Sequence, residues 1–394
     1  MTKEELIKRI NNIIEFITNG KVQRDDRIFK GHPAFYLIHT KEEFEKKLSS
    51  IIVNKDLYDR YDLYYYTNYM FKYMLNEYDS HTKMFFMDHK LLPIKIRFIN
   101  NIPYIVDINE KYSQYKGARI LSVNDIDVDI INKELEKIIC YASENYLKIM
   151  LEDYLTNANI IKSLPLLSSS APIIITTDMG KVQFDLDNID EYVDKSIKPN
   201  YKLDINGSTA IITYNSCSDE QKMIALIEEL NKNNTIEKYI VDLRGNNGGN
   251  SSINKHLVEY LKGKNIIVLC DERVFSSARM CAIDLKKIGA RLVGTNPGTS
   301  INCFGNNLMN KKFKDVNLRV CGSVTYWYYD ENLRCRGFYK EDFEEELKRN
   351  PKLLEPVFLN VDDIVELTLD DFMNNYDSVL EYALSLCSKK IRNT

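Results

Sequence analysis

Val241-Asp242-Leu243-Arg244-Gly245-Asn246-Asn247-Gly248-Gly249 carries an apolar strand straight into a glycine-rich turn, and a helix-forming stretch follows at 251–261. A strand without polar alternation fits burial on both faces, as in a parallel sheet. Glycine takes positive φ at no steric cost and lets backbone approach another group closely. Consecutive N–H groups in such a turn can bind a phosphate or an oxyanion. The spacing matches neither GxGxxG nor GxxxxGK[ST], which weakens a nucleotide reading. Taken alone, the stretch serves equally well as a tight strand-to-helix connection.

The pattern recurs in Val268-Leu269-Cys270-Asp271-Glu272-Arg273-Val274-Phe275-Ser276-Ser277-Ala278-Arg279, again strand, polar turn and helix. A serine at this junction is commonly a helix N-cap. It can also be an exposed nucleophile, provided a base and an oxyanion hole accompany it. Working outward, strands are expected at 210–214, 238–243, 266–270 and 291–293. Helices are expected between them, at 219–231 (with an acidic start), 251–261 and 277–288. This alternation predicts an α/β region over 164–394 with a mainly parallel sheet. Residues 331–354 interrupt it with a charged stretch, read as a solvated surface helix.

Upstream the character differs. Residues 1–90 read as helical, with Leu6, Ile10, Ile13, Ile14 and Ile17 on one stripe and Leu63, Tyr66, Met70, Tyr73 and Met74 on another. Gly31-His32-Pro33 marks a turn between them. Residues 91–163 read as a small β-rich module. Strands 92–99 and 102–108 flank Asn100-Asn101, and a helix is expected at 127–141. A catalytic base has five histidines to come from: His32, His39, His81, His89 and His256. His81, in Glu77-Tyr78-Asp79-Ser80-His81-Thr82, follows an amphipathic helix, where a histidine often serves the helix dipole. His89 and His256 sit among charged residues and read as solvated.

Composition narrows the function classes. The 394 residues are 44% hydrophobic and 28% charged, ordinary for a globular chain of two or three domains. A formal net charge of −4 lacks the basic footprint of a nucleic-acid binder. No segment approaches the roughly 18 apolar residues that span a bilayer. Residues 1–17 lack the apolar core of a signal peptide, which makes a cytoplasmic location the expectation. The eight cysteines show no CxxC pair and no Cys/His metal spacing, so reduced thiols and no structural zinc are expected.

Taken together, these segments resemble the serine peptidases that include C-terminal processing (tail-specific) proteases and the tricorn core. The resemblance rests on Asp79-Ser80-His81-Thr82, on the Asp242 to Gly249 turn and on Asp271 leading to Ser276-Ser277-Ala278-Arg279. It continues in Val293-Gly294-Thr295-Asn296-Pro297-Gly298 and in Asn360-Val361-Asp362-Asp363-Ile364-Val365. It implies a core like those of ClpP and crotonase over 164–394. It also implies a helical region over 1–90 that contributes His81. The module over 91–163, with Lys116-Gly117-Ala118-Arg119-Ile120-Leu121-Ser122-Val123-Asn124, looks like a reduced PDZ domain, a type that captures peptides by strand addition.

The implied chemistry is peptide hydrolysis through an acyl-enzyme on Ser276, with His81 as general base and no metal or cofactor. The N–H groups of Gly248 or Gly249 and of Ser277 would hold the oxyanion. Bacterial tail-specific proteases place a lysine about two dozen residues after the serine. Gly298-Thr299-Ser300-Ile301-Asn302 has none, so the resemblance favours the tricorn-like Ser-His-Ser-Glu arrangement. In that arrangement Ser80 is the second serine and Glu355 the carboxylate, with Glu331 as its substitute. Arg279 stands where the family has glutamate, and a one-residue slip would make Ser277 the nucleophile. The expected partners are peptide or protein substrates, not nucleic acid or membrane, and a homo-oligomer is left open. Two other readings are a silent ligand- or peptide-binding relative of the same fold and a crotonase-type acyl-CoA enzyme.

Overall fold

The computed structural model describes residues 1–184 and 199–388. They form a mixed α/β protein of two compact units, one from residues 1–184 and 302–356, the other from residues 199–301 and 357–388.

In the first unit, the helix Lys3–Asn19 starts in a capping box, Thr2 with Glu5, and buries the expected stripe Leu6, Ile10, Ile13, Ile14 and Ile17. The helix Arg60–Leu75 is buried on nearly all sides, so its tyrosines fill core rather than face water. It ends at Asn76, whose φ of 44° turns the chain toward Asp79 and the strand Lys83–Phe86. That strand pairs antiparallel with Leu318–Gly322, which pairs in turn with Met309–Phe313. The register sets Met84 opposite Val320, and both are buried in one cluster with Ile17, Met309 and Val324. This packing draws 302–356 into the first unit. The charged stretch expected inside the α/β region is there as the helix Lys340–Arg349, which buries only Phe343.

The β-rich module has the expected hairpin, Ile94–Ile99 against Ile102–Ile108. Asn100 and Asn101 both take positive φ, 51° and 65°, as a two-residue primed turn requires. A four-stranded sheet accompanies it. There Ile120–Val123 lies between Ile126–Asp127 and Ile174–Thr177, so the module extends past residue 163.

The second unit is a six-stranded sheet. Its order is Tyr201–Asn206, Thr209–Tyr214, Lys238–Asp242, Asn265–Cys270, Arg291–Gly294 and Asp363–Ile364, with the first pair antiparallel and the rest parallel. The helices Glu220–Asn231, Asn254–Leu261 and Ser277–Lys287 connect the parallel strands. Val241, Leu243, Val268 and Leu269 are fully buried, as their unbroken apolar runs predict. Each such side chain contributes about 1.5–3 kcal/mol. Both motif turns leave the carboxyl ends of neighbouring parallel strands, the edge where open α/β sheets build their sites.

All eight cysteines are free thiols. Among the described residues, no helix is long and apolar enough to cross a membrane, and no side-chain cluster could hold a metal ion.

Candidate active site

The second unit positions Ser276, Ser277, Gly248 and Gly249 together. Ser276 sits at the junction of the turn and the helix Ser277–Lys287 with φ 51° and ψ −124°, and its side chain makes no capping bond. A β-carbon in the left-handed region is strained. This is the geometry of a serine on a sharp strand-to-helix elbow. Ser277 is different: it is buried, and its hydroxyl donates to the carbonyl of Gly249 over 2.7 Å.

The two turns are stitched to each other. Gly245 N–H donates to the Asp271 carboxylate (3.0 Å), and Phe275 N–H donates to the carbonyl of Asn246 (3.0 Å). Gly248, at φ 95°, lies so close to the serines that a β-carbon there would stand 2.8 Å from both Ser276 Cβ and Ser277 N. Only glycine permits that approach. Buried Asn246 shapes the turn, donating to the Tyr214 carbonyl and accepting from the Gly248 N–H at 2.8 Å each. Buried Asn254 holds the other side, donating to the Ser277 carbonyl at 2.7 Å and accepting from the Tyr214 hydroxyl at 2.9 Å.

The Gly248 N–H is therefore committed to Asn246. Among the described residues no group accepts the N–H of Gly249 or of Ser277. Arg279, one helical turn on, is fully buried and donates to Thr299 at 2.6 Å.

The first unit positions His81. Its ring is buried and lies beside Gly305 and Trp327: a β-carbon on Gly305 would stand 3.7 Å from His81 Cε1. The backbone around it is fixed by the buried Asp79. The Asp79 Oδ1 accepts from the N–H of His81 (2.7 Å) and of Thr82 (3.1 Å), and Oδ2 accepts from Thr82 Oγ1 (2.5 Å) and from His32 Nε2 (3.0 Å). Ser323 Oγ also donates to Asp79, at 3.2 Å, and Asn307 Nδ2 donates to the His81 carbonyl at 3.2 Å. Burial alone would raise the Asp79 carboxyl, but the bond from His32, the nearby imidazoles and Thr82 outweigh it and hold the group well below the usual carboxylate range.

Ser80 and Glu355 also lie in this unit. The Ser80 hydroxyl donates to the Cys140 carbonyl at 3.2 Å. Glu355 is exposed and its carboxylate makes no hydrogen bond among the described residues; Glu331 is exposed in a turn. Sequence reasoning named His32, Asn246 and Asp79 without giving them a role, and missed Asn254 and Ser323. Asp79 was within reach, because a carboxylate two residues before a histidine can accept the histidine's own N–H. His32 had no local signal, since its partner lies 47 positions away.

No protein-family model matches the sequence, and no curated protein matches it. Solved structures do match. Mature CPAF superposes with a TM-score of 0.62 at 11% identity, over 97% of this chain and 96% of CPAF. Mature CPAF complexed with lactacystin gives 0.62 at 11% identity, over 97% of each chain. The photosystem II D1 C-terminal processing protease gives 0.42 at 9% identity, over 93% of this chain and 94% of that one. Over nearly its whole length the chain therefore shares the fold of mature CPAF.

Proposed function

We propose that this protein is a serine peptidase acting on peptides or proteins, with Ser276 as nucleophile and His81 as general base. The observation that carries the reading is the strained, uncapped Ser276, followed by the Ser277 amide and closed in by Gly248. A structural N-cap needs none of these features. The fold of the relatives and the Asp79-Ser80-His81-Thr82 segment support His81 as the base. The second unit is read as a core like those of ClpP and crotonase, and the module with the 94–108 hairpin as PDZ-like.

In this reading the Ser276 Oγ attacks the scissile carbonyl carbon as its proton passes to His81. The Gly249 and Ser277 N–H groups receive the developing oxyanion, a contribution of about 3 kcal/mol per donor. His81 returns the proton to the leaving amine, leaving an ester on Ser276. It then takes a proton from the water that hydrolyses the ester. Orientation of the imidazole by Ser80 and Glu355 is proposed from the resemblance alone.

A fluorophosphonate probe with intact-mass readout tests the assignment. The wild type should gain one adduct, and Ser276→Ala and His81→Ala should gain none over the same period. Ser277→Ala should still label. An unlabelled but folded wild type would reject the peptidase reading and leave a ligand- or peptide-binding protein of the same fold.

A further inference from the structure

Asp79 is fully buried and accepts five hydrogen bonds, from His81 N, Thr82 N, Thr82 Oγ1, Ser323 Oγ and His32 Nε2. Two of them come from the backbone that sets where the His81 ring stands. None of the five comes from the His81 ring, so Asp79 is not a triad aspartate in the usual sense.

The fifth donor is itself held in place. The N–H of Ala34 donates to His32 Nδ1 at 3.1 Å, so that nitrogen is bare and the ring proton is on Nε2, facing Asp79. The His32 backbone N–H donates to the Ile17 carbonyl at 2.7 Å, and its ring lies 4.5 Å from that of Phe304. Phe304 precedes Gly305, which borders His81. One short strand, Cys303–Gly305, thus touches both histidines.

We infer that His32 and Asp79 are positioning residues for His81. The carboxylate, aimed by His32, fixes the His81 imidazole through the N–H groups of His81 and Thr82. Its negative charge also favours the imidazolium that forms when His81 takes a proton. The inference rests on the reading of His81 as the base. Besides the two histidines, the titratable groups that feel the Asp79 charge are Lys83, on the following strand, and Cys140, packed from another segment.

The test uses the full chain and two readouts. The first is the rate of fluorophosphonate labelling against pH. Asp79→Asn should slow the maximal rate about 10²-fold, the cost of a misplaced reacting group. It should also move the pH midpoint about one unit toward acid, because the imidazolium loses an anion. His32→Ala should slow labelling about tenfold, and His32→Gln, which offers an N–H in place of Nε2, should restore most of it. Wild-type rate and midpoint in Asp79→Asn overturn the inference and leave Ser276 and His81 as assigned. A slower rate that merely follows loss of folded protein, with the midpoint unmoved, makes the pair structural and also overturns it.

The second readout is hydrogen exchange at the amides of His81 and Thr82, which needs no activity. Exchange at least about tenfold faster in Asp79→Asn, confined to that segment, supports the inference. Unchanged exchange overturns it. If the wild type does not label at all, the peptidase reading fails separately, and exchange alone decides whether Asp79 holds the segment.

Discussion

Ser276 adopts a backbone conformation that a β-carbon resists by about 1–3 kcal/mol. The surrounding turns over-determine it through Phe275 N–H on Asn246 and Gly248 packed on its Cβ. Replacing the serine by alanine removes the hydroxyl and keeps the strain. Replacing it by glycine releases the strain, and the freer unfolded chain gives back only about 0.4–1 kcal/mol. Ser276→Gly should therefore be more stable than Ser276→Ala by about 1 kcal/mol, measured by urea unfolding. Equal stabilities, or a more stable alanine variant, would mean that the elbow is not strained. In the sequence the choice of Ser276 over Ser277 rested on the family resemblance alone, because both are serines at a strand-to-helix junction. The dihedral angle of one and the committed hydroxyl of the other separate them.

At the scale of elements, the first motif turn is tied to the last helix by an ion-pair clamp. Arg244 donates Nε and Nη2 to Asp242 at 2.9 and 2.8 Å, and Nη1 and Nη2 to Asp377 at 2.7 Å each. Burial would lower the guanidinium's pKa, but the two carboxylates outweigh it and raise it. Asp377 stands at the start of the helix Ser378–Ser388, so the clamp ties that helix to the end of the strand Lys238–Asp242. Lysine cannot fork to two carboxylates. The Asp242 side is buried and dominates, while Asp377, at 37% exposure, adds less. Arg244→Lys should destabilise the second unit by about 3 kcal/mol and speed hydrogen exchange in the last helix. An unchanged exchange pattern would show that the helix is held by its apolar face alone. Most strands and helices of this sheet were legible, because parallel strands buried on both faces read as plain apolar runs between helices. The two outer strands were not. Tyr201–Asn206 is partly exposed with no clear alternation, and Asp363–Ile364 is too short to carry a pattern.

On the scale of the whole chain, what the sequence hid is the return of 302–356 to the first unit. The pairing of Val320 with Met84 and the bond from Ser323 to Asp79 join positions more than two hundred residues apart, and local periodicity carries no trace of such contacts. Asp79 is where three distant segments converge, around His32, Asp79-Thr82 and Ser323. Its ionisation should therefore set the acid stability of the first unit. The native pKa lies below the unfolded value of about 3.9. A carboxylate so shifted contributes stability that is fully present above the unfolded pKa and is lost as pH falls through the native one. Asp79→Asn should cost about 3 kcal/mol at neutral pH, since a buried donor set loses its anion. Below pH about 4 the gap between wild type and variant should narrow, because the wild type takes up a proton as it unfolds. Trp327, the only tryptophan, lies in the first unit, so its fluorescence during urea unfolding follows that unit selectively. A gap that stays constant or widens between pH 4 and pH 2 would place the anchoring charge elsewhere, and the convergence at Asp79 would then be a matter of shape rather than of ionisation.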